Sequence, residues 1–311
     1  MVRLARYVWG VLLYNLGVIA WGAYVRATGS GAGCGAHWPL CNGEVVPRDA
    51  AVQTLIEFSH RLTSGLALVS VVVLFVWARR ATRPGHPLRL GAALSLALMI
   101  SEALLGAGLV LFQLVADDAS AARAVAVAAH LLNTFLLLAA LTLSVYWASG
   151  GRAFEAGERR GLPRLAIGAV ALLLVSVMGA ITALGDTLFP SASLGEGLSA
   201  DLSSASHVLV RLRTIHPVLA VLVALHLMTS VWRIADGRPS GLSTARVLTA
   251  LLVAQLLAGA ANVVLLAPVW LQMVHLLMAD AIWIAYVFLA ADALTAPASA
   301  TVVAESYARP A

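Results

Sequence analysis

Residues 55–78, LIEFSHRLTSGLALVSVVVLFVWA, decide how this chain folds. The stretch is longer than the roughly 20 apolar residues that a helix needs to cross a bilayer. Seven other stretches are similar, and they lie at residues 7–25, 90–115, 124–148, 165–184, 208–234, 247–267 and 269–291. Of the 311 residues 61% are hydrophobic and 11% are charged, against about 25% charged in a soluble domain. The sequence therefore predicts an all-α integral membrane protein with eight spans and no room for a sizeable soluble domain.

The arginines predict the orientation of the spans. All 20 basic residues are arginines, and eight spans place both termini on one side of the membrane. That side holds Arg3, Arg6, Arg79, Arg80, Arg83, Arg89, Arg152, Arg159, Arg160, Arg164, Arg233, Arg238, Arg246 and Arg309. The other side holds Arg26, Arg48, Arg61, Arg123, Arg211 and Arg213. Arginine-rich loops stay in the cytoplasm, so we expect a multi-pass protein of the bacterial inner membrane with cytoplasmic termini. The first span lacks a small-residue cleavage pattern, and we expect it to be retained.

The second half of the sequence echoes the first. His60 follows Gly22 by 38 residues, and His216 follows Gly179 by 37. Further matches pair Glu102 with Gln255, Gly106 with Gly259, and His130-Leu131-Leu132 with His275-Leu276-Leu277. Because each repeat holds four spans, we expect two tandem four-helix bundles, residues 1–150 and 151–311, related by a pseudo-two-fold axis along the membrane normal. Chance similarity among alanine- and leucine-rich helices is the alternative.

Four histidines occupy matching places near the start of spans two, four, six and eight. They are His60, His130, His216 and His275. Their positions place them about 8–14 Å below the outer boundary at 1.5 Å per residue, and a histidine at that depth needs a partner or a metal. Two level pairs of imidazoles between facing helices suit haem iron, so we predict one bis-histidine haem site in each half. A structural hydrogen bond is the alternative for any single histidine.

The two predicted sites differ in a neighbouring charge. Glu57 lies three residues before His60, on the same helix face, whereas Arg213 holds the equivalent place before His216. We therefore predict that a group able to act as an acid or a base is present at the first site only. The alternative is that Glu57 lies near the start of its helix because the helix dipole favours a negative charge there. Cationic side chains near the histidine level are candidates for binding haem propionates, although contact with lipid headgroups explains them as well. These candidates are Arg61, Arg123, Arg211 and Arg213.

We expect the remaining polar residues of the spans to have structural roles. Glu102 and Gln255 lie near mid-membrane, where we expect them to bond between helices. His226 has no counterpart in the repeat, and we expect it to be structural.

Cys34 and Cys41 lie in the first outside segment, which begins with the glycine-rich residues 29–35. An oxidising exterior permits a disulfide, and this interpretation is favoured. A zinc ion bound by Cys34, His37 and Cys41 would lack a fourth ligand nearby, whereas zinc sites usually have four. Unpaired thiols are a further alternative.

Two motifs resemble those of the bacterial haem A synthase family. The first reads AYVRATGSG at residues 23–31, leads to Cys34 and continues as WPLCNG at residues 38–43. The second reads EFSHR at residues 57–61. Together with the other three histidines, these motifs extend the resemblance over nearly the whole chain.

The resemblance implies a membrane oxidoreductase that makes haem A from haem O for terminal oxidases, by oxidising the C8 methyl group to a formyl group through successive hydroxylations. It implies that His60 and His130 bind substrate or product haem, and that His216 and His275 ligate a resident haem b. It also implies that Glu57 assists the chemistry, and that Cys34 and Cys41 form a disulfide beside the substrate site. Haem O synthase and oxidase assembly factors are then the expected partners, and no nucleic acid is expected.

Two other functions suit parts of the pattern. A di-haem cytochrome b-like electron carrier explains both histidine pairs, but it gives no reason for the cysteine loop or for Glu57 in one half only. A transporter suits a repeat with intramembrane polar groups, although the spans lack the Gly and Pro breaks of discontinuous helices.

Overall fold

A computed structural model describes residues 1–48, 50–154, 162–236 and 239–295. Over these residues the chain is helical, and eight segments are long and apolar enough to cross a membrane, which confirms the predicted fold class. The helices are α1 (Val2–Ala27), α2 (Val52–Ala81), α3 (Pro87–Leu111), α4 (Ala121–Ala148), α5 (Leu162–Leu188), α6 (Leu194–Leu202), α7 (Val208–Arg211), α8 (Ile215–Ala235), α9 (Pro239–Val264) and α10 (Val269–Ala293). Four arginines of the orientation argument, Arg159, Arg160, Arg238 and Arg309, lie outside the described residues.

Two spans end earlier than the hydropathy predicts. Spans three and seven were expected to continue to residues 115 and 267, but α3 ends at Leu111 and α9 at Val264. Gln113 follows α3 with a φ of 56°, and Leu266 follows α9 with a φ of 57°. A left-handed residue terminates a helix whatever the apolarity of the sequence around it, so hydropathy alone places these ends too late.

The sixth span is interrupted where the sequence predicted one continuous helix. A 3-10 turn at Leu212–Thr214 separates α7 from α8. Pro217 has no N–H and cannot donate to the carbonyl of Arg213, four residues earlier, so the regular helical ladder fails at this point. The proline is tolerated because it lies in the first turn of α8.

A short helix, α6, was absent from the sequence prediction. It lies in the connection between α5 and α7, and its first turn is capped in both directions. The hydroxyl of Ser193 accepts from the N–H of Glu196 at 3.2 Å, and the Glu196 carboxylate accepts from the N–H of Ala192 at 3.0 Å. This Ser-x-x-Glu pattern resembles a capping box, and it is the signal by which the helix was predictable.

The two halves of the chain meet along α1, α4, α5 and α10. Trp283 on α10 donates from Nε1 to the carbonyl of Phe135 on α4 at 2.6 Å, and the two rings pack with centroids 5.7 Å apart. Tyr286, also on α10, donates its hydroxyl to the carbonyl of Leu165 on α5 at 2.7 Å. Within each half, consecutive spans pack in the same order. The central seam therefore joins two bundles of like arrangement, and the apolar outer faces are left for lipid.

The contact between α5 and α10 makes a testable prediction about Gly168. A methyl group on Gly168 would collide with the hydroxyl of Tyr286 and break its bond to Leu165. We expect Gly168→Ala to reduce the free energy of unfolding by about 1–3 kcal/mol, measured by thermal unfolding in detergent. Gly10→Ala is the matched control, because no atom lies within 4 Å of its added methyl group. Equal unfolding temperatures for the two variants would contradict this packing.

Candidate functional site

The four matching histidines lie at a similar depth near one end of the bundle. They follow the first residues of their helical spans, Val52, Ala121, Val208 and Val269, by six to nine positions, or about 9–14 Å along the helix axis. The rings of His216 and His275 have centroids 6.3 Å apart and are nearly perpendicular. His60 and His130 lie at a similar depth on α2 and α4. The structure therefore brings His216 and His275 together, and the pairing of His60 with His130 stays a prediction.

Each histidine ring packs against a glycine of a neighbouring span. A Cβ atom added to the glycine would approach the ring Cε1 atom to 2.9 Å for Gly22 and His60, 3.7 Å for Gly106 and His130, 2.9 Å for Gly179 and His216, and 3.3 Å for Gly259 and His275. A Cβ at Gly22 or Gly179 would force the ring to move. The glycines that mark the repeat in the sequence are thus the residues that give the four rings their space.

The ring nitrogens lack the partners that buried polar atoms normally have. Nδ1 of His60, His130 and His275 is buried and forms no hydrogen bond. His216 differs, because its Nδ1 lies 3.2 Å from the carbonyl oxygen of Val175. A bond of this kind orients an imidazole and leaves its other nitrogen for a ligand.

Glu102 and Gln255 bond between helices, as the sequence predicted. The carboxylate of Glu102 on α3 accepts from Asn133 and Thr134 on α4, and it lies 3.7 Å from Nε2 of His130. The Gln255 amide on α9 donates to Nε2 of His275 on α10 at 3.2 Å. Each pair of histidines therefore has an equivalent polar neighbour. His226 is exposed, and its Nε2 lies 3.4 Å from the hydroxyl of Ser230 on its own helix; its structural role stays a prediction.

The cysteine loop folds over the beginning of α2. Cys34 and Cys41 form a disulfide, so the alternatives of zinc ligation and free thiols are wrong. Three side chains of one helix face hold the loop. Thr54 donates to the carbonyl of Gly33 at 2.7 Å, Glu57 accepts from the N–H of Cys34 at 2.8 Å, and Arg61 donates to the carbonyls of His37 and Leu40 at 2.6 Å each.

Glu57 lies between the disulfide loop and the first histidine pair. Its side chain is buried, with 3% of the residue exposed. One carboxylate oxygen accepts from Cys34, and the other forms an ion pair with Arg61. Because His60 follows Glu57 by three residues, the two side chains project from adjacent parts of the same helix surface. The sequence placed the carboxylate beside the histidine but missed its contact with the loop.

The four candidate propionate ligands have different surroundings. Arg61 is bonded to Glu57 and the loop, and Arg123 donates to the carbonyls of Ala116 and Asp118. Arg213 donates to the carbonyl of Gly185 at 2.6 Å and lies 3.1 Å from a carboxylate oxygen of Asp186. Arg211 is exposed. Three of these guanidinium groups thus organise loops near the histidines, and their contact with propionates stays a prediction.

Arg26 joins the two halves, a role that the sequence did not reveal. It lies one helical turn after Gly22, and Nη1 donates to the carbonyl of Ala183 and the hydroxyl of Thr187 on α5 at 2.7 Å each. Nη2 donates to the amide oxygen of Gln272 on α10 at 3.0 Å. These partners are 157–246 residues away in sequence, so the sequence marked Arg26 only as an outer arginine and as part of the AYVRATGSG motif.

Comparison with known proteins assigns this chain to a family. The chain is 55% identical over 295 residues to the protoheme IX farnesyltransferase of Thermus thermophilus, a match that covers 94% of this chain and 48% of that protein. It is 44% identical over 103 residues to the heme A synthase of Alkalihalophilus pseudofirmus, covering 33% of each chain. It is 46% identical over 95 residues to the heme A synthase of Halalkalibacterium halodurans, covering 30% of this chain and 32% of the relative. The chain thus spans about half the length of the first relative, and the aligned segments cover about a third of the other two.

The family model described as cytochrome oxidase assembly protein matches residues 5–287. The matched region contains both histidine pairs, the disulfide loop and Arg26. This protein therefore belongs to the COX15-CtaA family of cytochrome oxidase assembly proteins.

Proposed function

We propose that this chain is a haem A synthase, which oxidises the C8 methyl group of haem O to a formyl group through successive hydroxylations. This proposal rests on one observation, the presence of two matched sites. In each site two histidine rings lie at a similar depth, and each ring packs against a glycine. An iron porphyrin is flat and takes one imidazole on each face. Membership of a cytochrome oxidase assembly family and similarity to proteins named heme A synthase support the same function.

The second pair fits a resident haem b. The rings of His216 and His275 have centroids 6.3 Å apart, and these two residues would hold the iron of a haem between them. The bond of His216 Nδ1 to Val175 leaves Nε2 for iron. Nε2 of His275 accepts from Gln255, so that bond would have to be released for His275 to bind iron through Nε2, and its buried Nδ1 forms no hydrogen bond. A haem bound here would supply reversible one-electron transfer.

The first pair is the proposed binding site for haem O. His60 and His130 would bind the iron of the substrate, and their buried Nδ1 atoms without partners are consistent with a site built for a ligand. On this assignment residues 1–150 form the substrate half and residues 151–311 the haem b half. The equivalent glycine contacts in both halves support the pseudo-two-fold axis along the membrane normal.

Glu57 is the proposed proton carrier of the substrate half. Its carboxylate is held on both sides, by the N–H of Cys34 and by Arg61, so it has one defined position beside His60. Each hydroxylation of the methyl group by oxygen and a reductant consumes two electrons and two protons and releases one water, and a carboxylate at a fixed position can deliver such protons. The second half has Arg213 at this place, which explains why only one half would carry out chemistry. Arg61, Arg123, Arg211 and Arg213 are the proposed partners of the haem propionates.

The proposed partners and location of this chain follow from its proposed substrate and its charge distribution. The name of the Thermus relative refers to farnesyl transfer onto protohaem, and a reaction of that kind makes the farnesylated haem that this chain would consume. A haem O synthase and oxidase assembly factors are therefore the proposed partners. The excess of arginine on the terminal side supports cytoplasmic termini and a location in the bacterial inner membrane.

The function is tested by supplying haem O to the purified protein in nanodiscs with a reductant and oxygen, followed by haem extraction and chromatography. We expect haem A to accumulate. A di-haem electron carrier, the second candidate, would use the same two histidine pairs but retain haem b alone and leave haem O unchanged. In a parallel reaction with protohaem and farnesyl diphosphate in place of haem O, formation of haem O, with no haem A in the first reaction, would instead assign the activity named for the Thermus relative.

The haem b assignment predicts the effect of removing one ligand. We expect His216→Ala or His275→Ala to lower the haem b content at least fivefold, because a bis-histidine iron loses one of its two protein bonds. The measurement is the extracted haem b per protein. His226→Ala is the matched control, since His226 lies on α8 with His216 but is exposed. Haem b content equal to that of the unmodified protein in both ligand variants would refute the assignment.

The proton-carrier assignment predicts a separate effect for Glu57. We expect Glu57→Gln to lower the yield of haem A about a hundredfold, the usual scale of acid–base catalysis, while haem b content stays unchanged. Glutamine keeps an oxygen that can accept from Cys34, so the loop contact is retained. Glu44→Gln is the control, because Glu44 is an exposed carboxylate of the same loop. Normal haem A yield from Glu57→Gln would remove Glu57 from the mechanism.

A further inference from the structure

The short helix α6 presents an apolar face that no other part of the described chain covers. Leu194, Leu198 and Leu202 are spaced four residues apart, so they share one side of the helix. They are 39%, 51% and 81% exposed, and no residue of α6 is buried. Three exposed leucines on a nine-residue helix form a surface that water disfavours.

The bundle contacts a different side of α6. Gly197, Ala200 and Asp201 are the half-buried residues of the helix, and a carboxylate oxygen of Asp201 lies 3.7 Å from Nη1 of Arg213. With 3.6 residues per turn, the packed side of α6 is rotated about the helix axis by between a quarter and a third of a turn from the leucine side. The leucine face therefore points sideways from the bundle, as expected for a helix at its rim.

The connections of α6 keep it close to the membrane boundary. Five residues join it to the end of α5, and five join it to α7. A five-residue segment spans at most about 17 Å. Val208, the first residue of α7, is 51% exposed and begins the sixth span. The short connections therefore keep the leucine face near the start of this exposed apolar span.

We propose that α6 is an interfacial helix whose three leucines insert into the lipid leaflet on the side of the histidine sites. The helix contains Glu196 and Asp201 and no basic residue, so apolar burial attaches it to lipid and anionic headgroups contribute nothing. Asp201 contacts Arg213, which lies three residues before His216. The lipid contact therefore secures the segment that borders the second histidine pair.

The cysteine content of the chain allows a direct test. The sequence has two cysteines, and both are in the disulfide, so a new cysteine can be labelled alone in the full chain. Leu198→Cys and the matched control Ser199→Cys, on the adjacent exposed side of α6, are each given a nitroxide label in phosphatidylcholine nanodiscs. Accessibility to oxygen, which concentrates in lipid, and to a water-soluble nickel chelate is then measured by electron paramagnetic resonance.

We expect the ratio of oxygen to nickel accessibility to be at least tenfold higher at position 198 than at position 199. We also expect the ratio at position 198 to be unchanged when a third of the lipid is anionic. Equal ratios at the two positions would overturn the proposal, since α6 would then lie in water. A label at position 198 that neither reagent reaches would also overturn it, because a protein partner or a second copy would cover the face. These readouts do not depend on haem, so they are independent of the proposed function.

Discussion

A polar group inside a bilayer has no water to bond, and this constraint underlies the whole arrangement. The backbone meets it by forming helices. Side chains meet it by bonding across helices, as Glu102 does with Asn133 and Thr134 and as Arg26 does with α5 and α10. Against this background the buried Nδ1 atoms of three histidines are exceptions, and exceptions of this kind are where a ligand is expected.

The two halves use the same scaffold for different local chemistry. Each half holds two histidines against two glycines. The residue three positions before the α2 histidine is Glu57, which holds the disulfide loop, and its counterpart is Arg213, which ties α5 and α6 together through Asp186 and Asp201. The first pair is thus bordered by a carboxylate and a covering loop, and the second by a guanidinium bound to two carboxylates.

Arg26 connects these two sites mechanically. Arg26 lies one helical turn after Gly22, and Gly22 contacts His60. Its partner Ala183 lies one turn after Gly179, and Gly179 contacts His216. Gln272, its third partner, precedes His275 by three residues. A single guanidinium with a planar set of donors can satisfy all three acceptors at once. The relative position of the two histidine pairs therefore depends on a residue that belongs to neither pair.

Sequence alone determined the eight spans and the matching depths of the four histidines, because apolar length sets where a helix crosses lipid and because matching positions of equivalent helices fold to matching depths. The Ser-x-x-Glu pattern before α6 was present but was not used. Only the tertiary structure decided which contacts Arg26, Glu57 and Arg213 make. Their partners lie in other helices or loops, and long polar side chains select partners by the geometry of packing, which no local pattern of residues encodes. The early ends of α3 and α9 and the break before α8 likewise depend on backbone conformation, to which hydropathy is insensitive.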